Sequence, residues 1–368
     1  MSRIQIPLGM RDLILENCRK KRALRNRIEN VFSSYGYQEI ITPAIEFYRT
    51  YQNAYGSVND EDMYKFFDQD GQILALRTDM TVPIARVCAS KFNKVDPPYR
   101  FRYCSNVYKV RQMFGGQMGE VSDCGVELIG LDSFHDLEVL LCALDTMASF
   151  EVEGYTLEIG NSDYFKIACK DLGLNSQQQI DLAHLIDTKS LVDLKVYLEK
   201  LGLGPEEKSF FEALPVLGGD ASILDQAYEV SFNDTLKKVI LDLKDLYSKL
   251  DELGYGSFIQ FDLGKVPHLD YYTGIIFEGF VNGVGHSVLS GGRYDSLLKK
   301  FGRDLSACGF SVKLDYLLEV IEDHPIKKIK VFYPVDKQME AYKKAKELRK
   351  DHNVELVVWS KDEVEVIE

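Results

Sequence analysis

The chain has one tryptophan, ten prolines and six histidines in 368 residues, and several chemistries are missing from it altogether. No Cys-x-x-Cys pair, His-x-x-x-His pair or Cys/His cluster is present, so the ligand spacings of a metal site are absent and no metal is expected. No Gly-x-Ser-x-Gly elbow occurs, and no cysteine stands in a recognisable nucleophile context. Gly115, Gly116 and Gly119 lack Rossmann or P-loop spacing, so no nucleotide cofactor is expected. No stretch approaches the roughly 20 apolar residues of a membrane span, and the opening Met-Ser-Arg-Ile-Gln-Ile-Pro lacks the apolar run of a signal peptide. A cytoplasmic protein with no membrane partner is the expectation. The seven cysteines, at 18, 88, 104, 124, 142, 169 and 308, are odd in number and scattered, which argues for reduced core thiols and against a disulfide framework.

Positive charge is also in short supply. With 44 Lys and Arg against 57 Asp and Glu the formal charge is −13, whereas capture of a phosphate backbone needs clustered cations. The densest basic run, Arg19-Lys20-Lys21-Arg22, continues through Arg25 and Arg27 between the apolar positions Leu24, Ile28 and Val31. That spacing reads as the solvated face of an amphipathic helix. Nucleic acid is not an expected partner.

What is present is the composition of a globular protein, 45% apolar and 27% charged, long enough for about two domains. Asp12 reads as the cap of a helix that Gly36 stops, followed by a strand at Tyr37–Ile41. Tyr64–Phe67 and Gln72–Leu76 flank Asp68-Gln69-Asp70-Gly71, the composition of a hairpin turn. A helix follows Thr81, and strands at Arg100–Tyr108 and Val121–Ile129 flank a glycine-rich loop. Ser133-Phe134-His135-Asp136 has the spacing of a capping box opening a helix through Phe150. Residues 162–253 read as helices separated by glycine-rich breaks, a helical insertion. Strands return at Ser257–Leu263, Asp270–Val281, His286–Leu289 and Cys308–Val312, with Gly291-Gly292 opening a helix. Residues 326–368 read as strand, helix, strand. The alternation implies an α+β fold, an antiparallel sheet flanked by helices.

Leu269-Asp270-Tyr271-Tyr272-Thr273-Gly274, Phe277-Glu278, Ser290-Gly291-Gly292-Arg293-Tyr294-Asp295 and Gly309-Phe310 together resemble the amino-acid pocket of histidyl-tRNA synthetases. Pro7–Asp12 resembles that family's opening segment, and Tyr37–Glu46 the dimer-interface motif of class II synthetases. Leu76–Arg86 and Gly125–Gly130 resemble the segments that supply its substrate-binding carboxylates. The resemblance covers roughly residues 5–322. It implies a class II aminoacyl-tRNA synthetase-like domain over 1–325, with the insertion at about 162–253, and a truncated anticodon-binding-like α/β segment at 326–368.

Departures from the family pattern fall on its cations. The arginine preceding Leu-Asp-Tyr-Tyr falls on Pro267, the arginine after Gly309 falls among Lys313-Leu314-Asp315, the α-phosphate arginine on Lys109 and a further nucleotide-binding arginine on Gln117. The glutamine downstream of Lys109 falls on Asp123. Lysine is a point charge and does not replace a planar guanidinium in bidentate phosphate capture, so the pocket reads as kept and the chemistry as removed. Among relatives, the pattern is most similar to the regulatory subunits of ATP phosphoribosyltransferase. That resemblance implies a non-catalytic partner of the short-form catalytic subunit, required for its activity and for feedback control by histidine, and a homodimer within a hetero-octamer. The histidine site it implies comprises Asp79, Thr81 and Asp123 around the amino group and Glu127 and Tyr272 at the imidazole, with Tyr271 facing the core. Tyr294 fits either this site or ordinary helix packing, and Lys109 and Arg111 are candidate anion contacts. Asp79 and Glu127 lie in otherwise apolar segments, so each is expected to have a cationic partner. His268 beside Asp270 has the look of an acid–base pair but lies on a strand where such neighbours are about 6–7 Å apart. A divergent synthetase-like ligase and a scaffold that binds no amino acid are the alternatives.

Overall fold

The computed structural model describes residues 6–55, 60–110, 118–266, 272–325 and 327–367. The chain divides into two units, residues 1–13 with 21–321 and residues 14–20 with 322–368. Helix α1 (Leu15–Ser34) starts at Leu15, three residues past the expected Asp12 cap, and Gly36 ends the turn after it at a φ of +79° that a side chain would resist. Then follow β1 (Gln38–Glu39), β2 (Ile45–Phe47), α2 (Tyr48–Tyr55), β3 (Lys65–Phe67), β4 (Ile73–Leu76), α3 (Thr81–Ser90), β5 (Tyr99–Tyr108) and β6 (Glu120–Ile129). The β3–β4 hairpin forms around the anticipated turn, where the Asp68 carboxylate accepts the Asp70 and Gln72 amides and Gly71 adopts a φ of +76°.

Helix α4 (Asp136–Ala148) is not opened by a capping box. Asp132 caps the short 3-10 turn before it by accepting the Phe134 amide, while Asp136 is buried against Arg293. Strand β7 (Tyr155–Asn161) leads into the helical segment: α5 (Ser162–Asp171), α6 (Ser176–Asp187), α7 (Leu191–Leu201), α8 (Pro205–Ala213), α9 (Ile223–Val230) and α10 (Asp234–Glu252). Within it Gly218–Gly219, read from sequence as a break, forms β8 at the edge of the main sheet. Strands β9 (Ile259–Asp262), β10 (Ile275–Val281) and β11 (Leu289–Arg293) follow, then α11 (Asp295–Lys300), β12 (Ala307–Lys313) and α12 (Leu314–Leu317). Gly291 and Gly292 therefore lie inside a strand rather than opening a helix. They are needed because a Cβ on Gly292 would come within 2.9 Å of the Tyr272 ring, and one on Gly291 within 2.5 Å of the Gly309 carbonyl.

The main sheet runs β1-β5-β6-β12-β11-β10-β7-β9-β8, antiparallel except at β1–β5 and β7–β9. Side chains alternate across it. On one face Cys124, Val126 and Leu128 of β6 join Leu24, Ile28 and Phe32 of α1 and Leu140, Ala143 and Leu144 of α4 in a continuous core, with Phe310 edge-on to Phe32 at 5.7 Å. On the other face Tyr99, Phe101 and Tyr103 pack with α3, Leu297 and Leu298. The expectation of reduced thiols fails at one place: Cys104 and Cys124 are directly opposed on β5 and β6, with Cα atoms 4.0 Å apart, and form a disulfide. Adjacent antiparallel strands bring such pairs within bonding reach, and a separation of 20 residues in sequence gives no hint of it. The C-terminal unit contains β13 (Lys328–Tyr333), α13 (Gln338–Leu348) and β14 (Asn353–Val358), plus an unanticipated β15 (Glu365–Ile367) antiparallel to β13. Its core is Val331, Tyr333, Ala341 and Ala345. No described helix is long and apolar enough to cross a membrane.

Candidate functional site

The face of β6 opposite its apolar core carries Asp123, Gly125 and Glu127. Register sets their neighbours: Asp123 lies across from Ser105 and Lys313, Gly125 from Tyr103 and Ser311, and Glu127 from Phe101 and Gly309. Small residues make this floor low enough for polar groups to lie on it. A Cβ on Gly309 would collide with the Glu127 carboxylate, and one on Gly125 would reach within 2.5 Å of the Tyr103 hydroxyl. With Tyr55, the start of α3, Tyr272 and Tyr294 as walls, the floor bounds a cavity of about 590 Å3.

The start of α3 is built around Asp79. One carboxylate oxygen accepts the Val82 amide at 2.8 Å, satisfying a donor of the helix's first turn. The other accepts the Tyr55 hydroxyl at 2.5 Å and the Thr78 hydroxyl at 3.1 Å. Glu127, 2% exposed, accepts the Thr81 hydroxyl at 2.8 Å on one oxygen and the Tyr294 hydroxyl on the other. The expected cationic partners are thus replaced: among the described residues hydroxyls and a helix amide supply the donors. Dipoles stabilise a carboxylate less than a full positive charge does. Accordingly burial pushes Glu127 up to about 7, although the Tyr294 and Thr81 hydrogen bonds pull the other way. The same burial raises Tyr103 and Tyr294 well above the ordinary phenol range.

Asp123 is 9% exposed, and among the described residues its Oδ1 has no hydrogen-bond partner. Burial raises it to about 6, against the downward pull of Lys313 and Lys109. Lys313 lines the same cavity, its ammonium 5.9 Å from the Tyr316 ring centroid. Two residues on, Asp315 is engaged elsewhere. It accepts the Ser122 amide at 2.7 Å and is gripped by Arg11 and Lys21, each at 2.9 Å. Burial raises its pKa, and these donors more than offset that, leaving the carboxyl below its usual range. Lys21, read as part of a solvated face, is therefore a structural contact.

All of Asp79, Thr81, Asp123, Glu127, Tyr272, Tyr294 and Lys109 line this one cavity. Arg111, Gln117, Pro267, His268 and Tyr271 lie outside the described residues. Cavity residues that were not anticipated as such include Tyr55, Tyr103 and Lys313. An aromatic at every second position of Tyr99-Arg100-Phe101-Arg102-Tyr103 is the signal that could have placed Tyr103 on the inner face. Among the described residues no group of three or more His, Cys, Asp or Glu could hold a metal ion. Chemically, a buried group of carboxylates with lysines at one end suits a small ligand that is cationic or dipolar.

The histidyl-tRNA synthetase family model matches residues 9–317. The chain is 33% identical over 355 residues to the ATP phosphoribosyltransferase regulatory subunit of Clostridium novyi (strain NT), covering 94% of this chain and 84% of the relative. It is 34% identical to that of Clostridium kluyveri, covering 94% and 90%. A crystal structure described as an ATP phosphoribosyltransferase regulatory subunit/histidyl-tRNA synthetase from Bacillus halodurans C superimposes with a TM-score of 0.88 at 30% identity, covering 97% of this chain and 93% of that one. Histidyl-tRNA synthetase from Nostoc sp. PCC 7120, at 22% identity and a TM-score of 0.81, shares the fold.

Proposed function

The chain belongs to the histidyl-tRNA synthetase family, among its ATP phosphoribosyltransferase regulatory subunits, and on that premise we propose that it has no catalysis of its own and that its cavity is a histidine sensor. The short-form catalytic subunit is the partner, in the cytoplasm, and histidine biosynthesis is the setting. The amino group of the ligand is assigned to the Asp79, Thr81 and Asp123 side of the cavity, and the imidazole to Glu127, Tyr272 and Tyr294. Among amino acids, only histidine carries a ring with two nitrogens that can each bear an N–H for a buried carboxylate such as Glu127, whereas tryptophan offers a single indole N–H. Feedback then requires that bound histidine favour one arrangement of the mixed assembly, by no more than its difference in affinity between the two.

The observation that carries the non-catalytic reading is Asp315. In the Lys313-Leu314-Asp315 stretch where the family's arginine would be expected stand a lysine and a carboxylate, the carboxylate buried under Arg11, Lys21 and the Ser122 amide. Adenylate formation develops negative charge that fixed cations must stabilise, and each missing donor of that kind costs about 3–4 kcal/mol of transition-state binding. The homodimer is supported by the β2-β4-β3 sheet, which exposes Ile45, Phe47, Phe66, Phe67 and Ile73 beside Ile41.

The test mixes the purified chain with the short-form catalytic subunit. Each alone is expected to be inactive in phosphoribosyl transfer, the mixture active and inhibited by histidine, and the chain alone at least dimeric by ultracentrifugation. Histidine-dependent exchange of pyrophosphate into ATP by the chain alone would overturn this function.

A further inference from the structure

Strand β10 begins at the wall of the cavity, and there its ladder changes partner. The register of β7 with β10 ends at the pair Asn161 and Ile275. One step further the Ser162 amide and hydroxyl still donate to the Gly274 carbonyl, at 2.8 and 3.2 Å. Continued, the register would set residue 164 against Tyr272, but by then the chain has turned into α5 under the Asn161 cap. The Tyr272 carbonyl, the next acceptor of an antiparallel ladder, is met instead by the Lys166 ammonium at 2.7 Å. Lys166 stands one helical turn after Ser162, on the same face of α5. From the other side the Thr273 amide donates to the Arg293 carbonyl at 2.8 Å, and the Thr273 hydroxyl accepts the Asp295 amide at 3.1 Å. The segment that carries the Tyr272 ring is thus pinned between the end of β11 and α5. Helix α5 is in turn fixed within the helical insertion. The Tyr164 hydroxyl donates to the Ala227 carbonyl at 2.7 Å and shares a 2.9 Å hydrogen bond with the Ser231 hydroxyl. The Tyr164 and Phe165 rings lie edge-on to Phe210 and Phe211 of α8. Residues two apart on a helix do not face each other, so α5 grips the cavity wall through Lys166 and the insertion through Tyr164.

We infer that Lys166 is a positioning residue that ties the Tyr272 wall to α5, so that occupancy of the cavity is felt across the helical insertion. A ligand packed against Tyr272 restrains the wall, and the ammonium–carbonyl bond passes that restraint to α5 and to the helices α8 and α9 packed on it. The inference goes beyond the histidine-sensor reading and rests on it.

Amide hydrogen exchange on the full chain, with and without saturating histidine, reads the coupling, and calorimetry reads the affinity. In the wild type histidine is expected to slow exchange in α3 and β11, which line the cavity, and also in α5, α8 and α9. Lys166→Arg keeps a cation of similar reach and is expected to keep both the affinity and the slowing. Lys166→Met keeps the stem and loses the donor. It is expected to bind histidine about 2- to 30-fold more weakly and, at saturation, to show slowed exchange in α3 and β11 but not in α8 and α9. A lysine that only stabilises α5 would speed exchange there with or without histidine and leave the histidine-dependent slowing of α8 and α9 intact, and that result overturns the inference. Histidine bound to the wild type with no slowing in the insertion overturns it too, whether or not the variants fold, and leaves the sensor standing. A folded wild type that binds no histidine overturns the sensor itself, and the coupling with it.

Discussion

The buried carboxylates of this chain fall into two groups. Glu46, Asp136 and Asp315 are each gripped by a cation: Arg86 for Glu46, Arg293 for Asp136, and Arg11 with Lys21 for Asp315. Asp123 and Glu127, also buried, are met among the described residues by hydroxyls or by no hydrogen bond at all on one oxygen. The first group ties elements together, α4 to β11 and residues near the N-terminus to α12. The second lines the cavity. Burial alone does not mark a functional acid, and the distinction lies in whether the fold supplies the compensating charge or leaves it to a ligand.

The sharpest way to break this comparison is to remove a structural cation. Arg293 is 5% exposed and donates to both oxygens of Asp136. Arg293→Ala leaves that carboxylate buried without its cation and is expected to cost about 3–5 kcal/mol, read by urea denaturation. A loss under about 1 kcal/mol would dissolve the distinction.

Removing a cavity acid should act in the opposite direction. Burial raises Asp123 from 3.8 to about 6 in the folded state, so the folded chain holds its proton more tightly than the unfolded chain does. The contribution of Asp123 to stability is therefore fullest below about pH 4 and is lost as pH rises through 6. Asp123→Asn removes that term. The variant is expected to match the wild type near pH 4 and to be more stable by up to about 3 kcal/mol at pH 7.5. Thermal melts across that range decide it, and a destabilised variant at neutral pH would show that Asp123 is structural after all.

The smallest effect is expected at Asp242, an exposed acid paired with Lys238 one helical turn away. Asp242→Ala should change stability by less than about 0.5 kcal/mol. A larger loss by the same denaturation would mean that ion pairing, and not burial, sets the scale.

Much of the site was legible before any coordinates. The residues singled out by motif that fall among the described residues converge on one cavity, because Asp123 and Glu127 lie on one face of β6 and the others lie at strand ends or the start of α3 around it. The β3–β4 turn was legible from Asp68 and Gly71, since its hydrogen bonds are local. The donors to Glu127 were not. Thr81 is 46 and Tyr294 is 167 residues away, and nothing near Glu127 in sequence indicates that two hydroxyls, and no cation, would serve it. Gly291-Gly292 misled because a glycine pair also suits a turn. Only the Tyr272 ring above Gly292 shows why side chains are excluded within a strand.

By itself the sequence determined the α+β class, the acidic character and, through its motifs, the family and seven of the residues around the cavity, because composition, periodicity and motif spacing are properties of the chain read in order. Tertiary structure alone decided which acids are neutralised and which are left wanting, which lysine stands across from Asp123, and that Cys104 meets Cys124. Those outcomes depend on strand register and burial. Register pairs residues far apart in sequence, and burial sets how strongly an unpaired charge is felt.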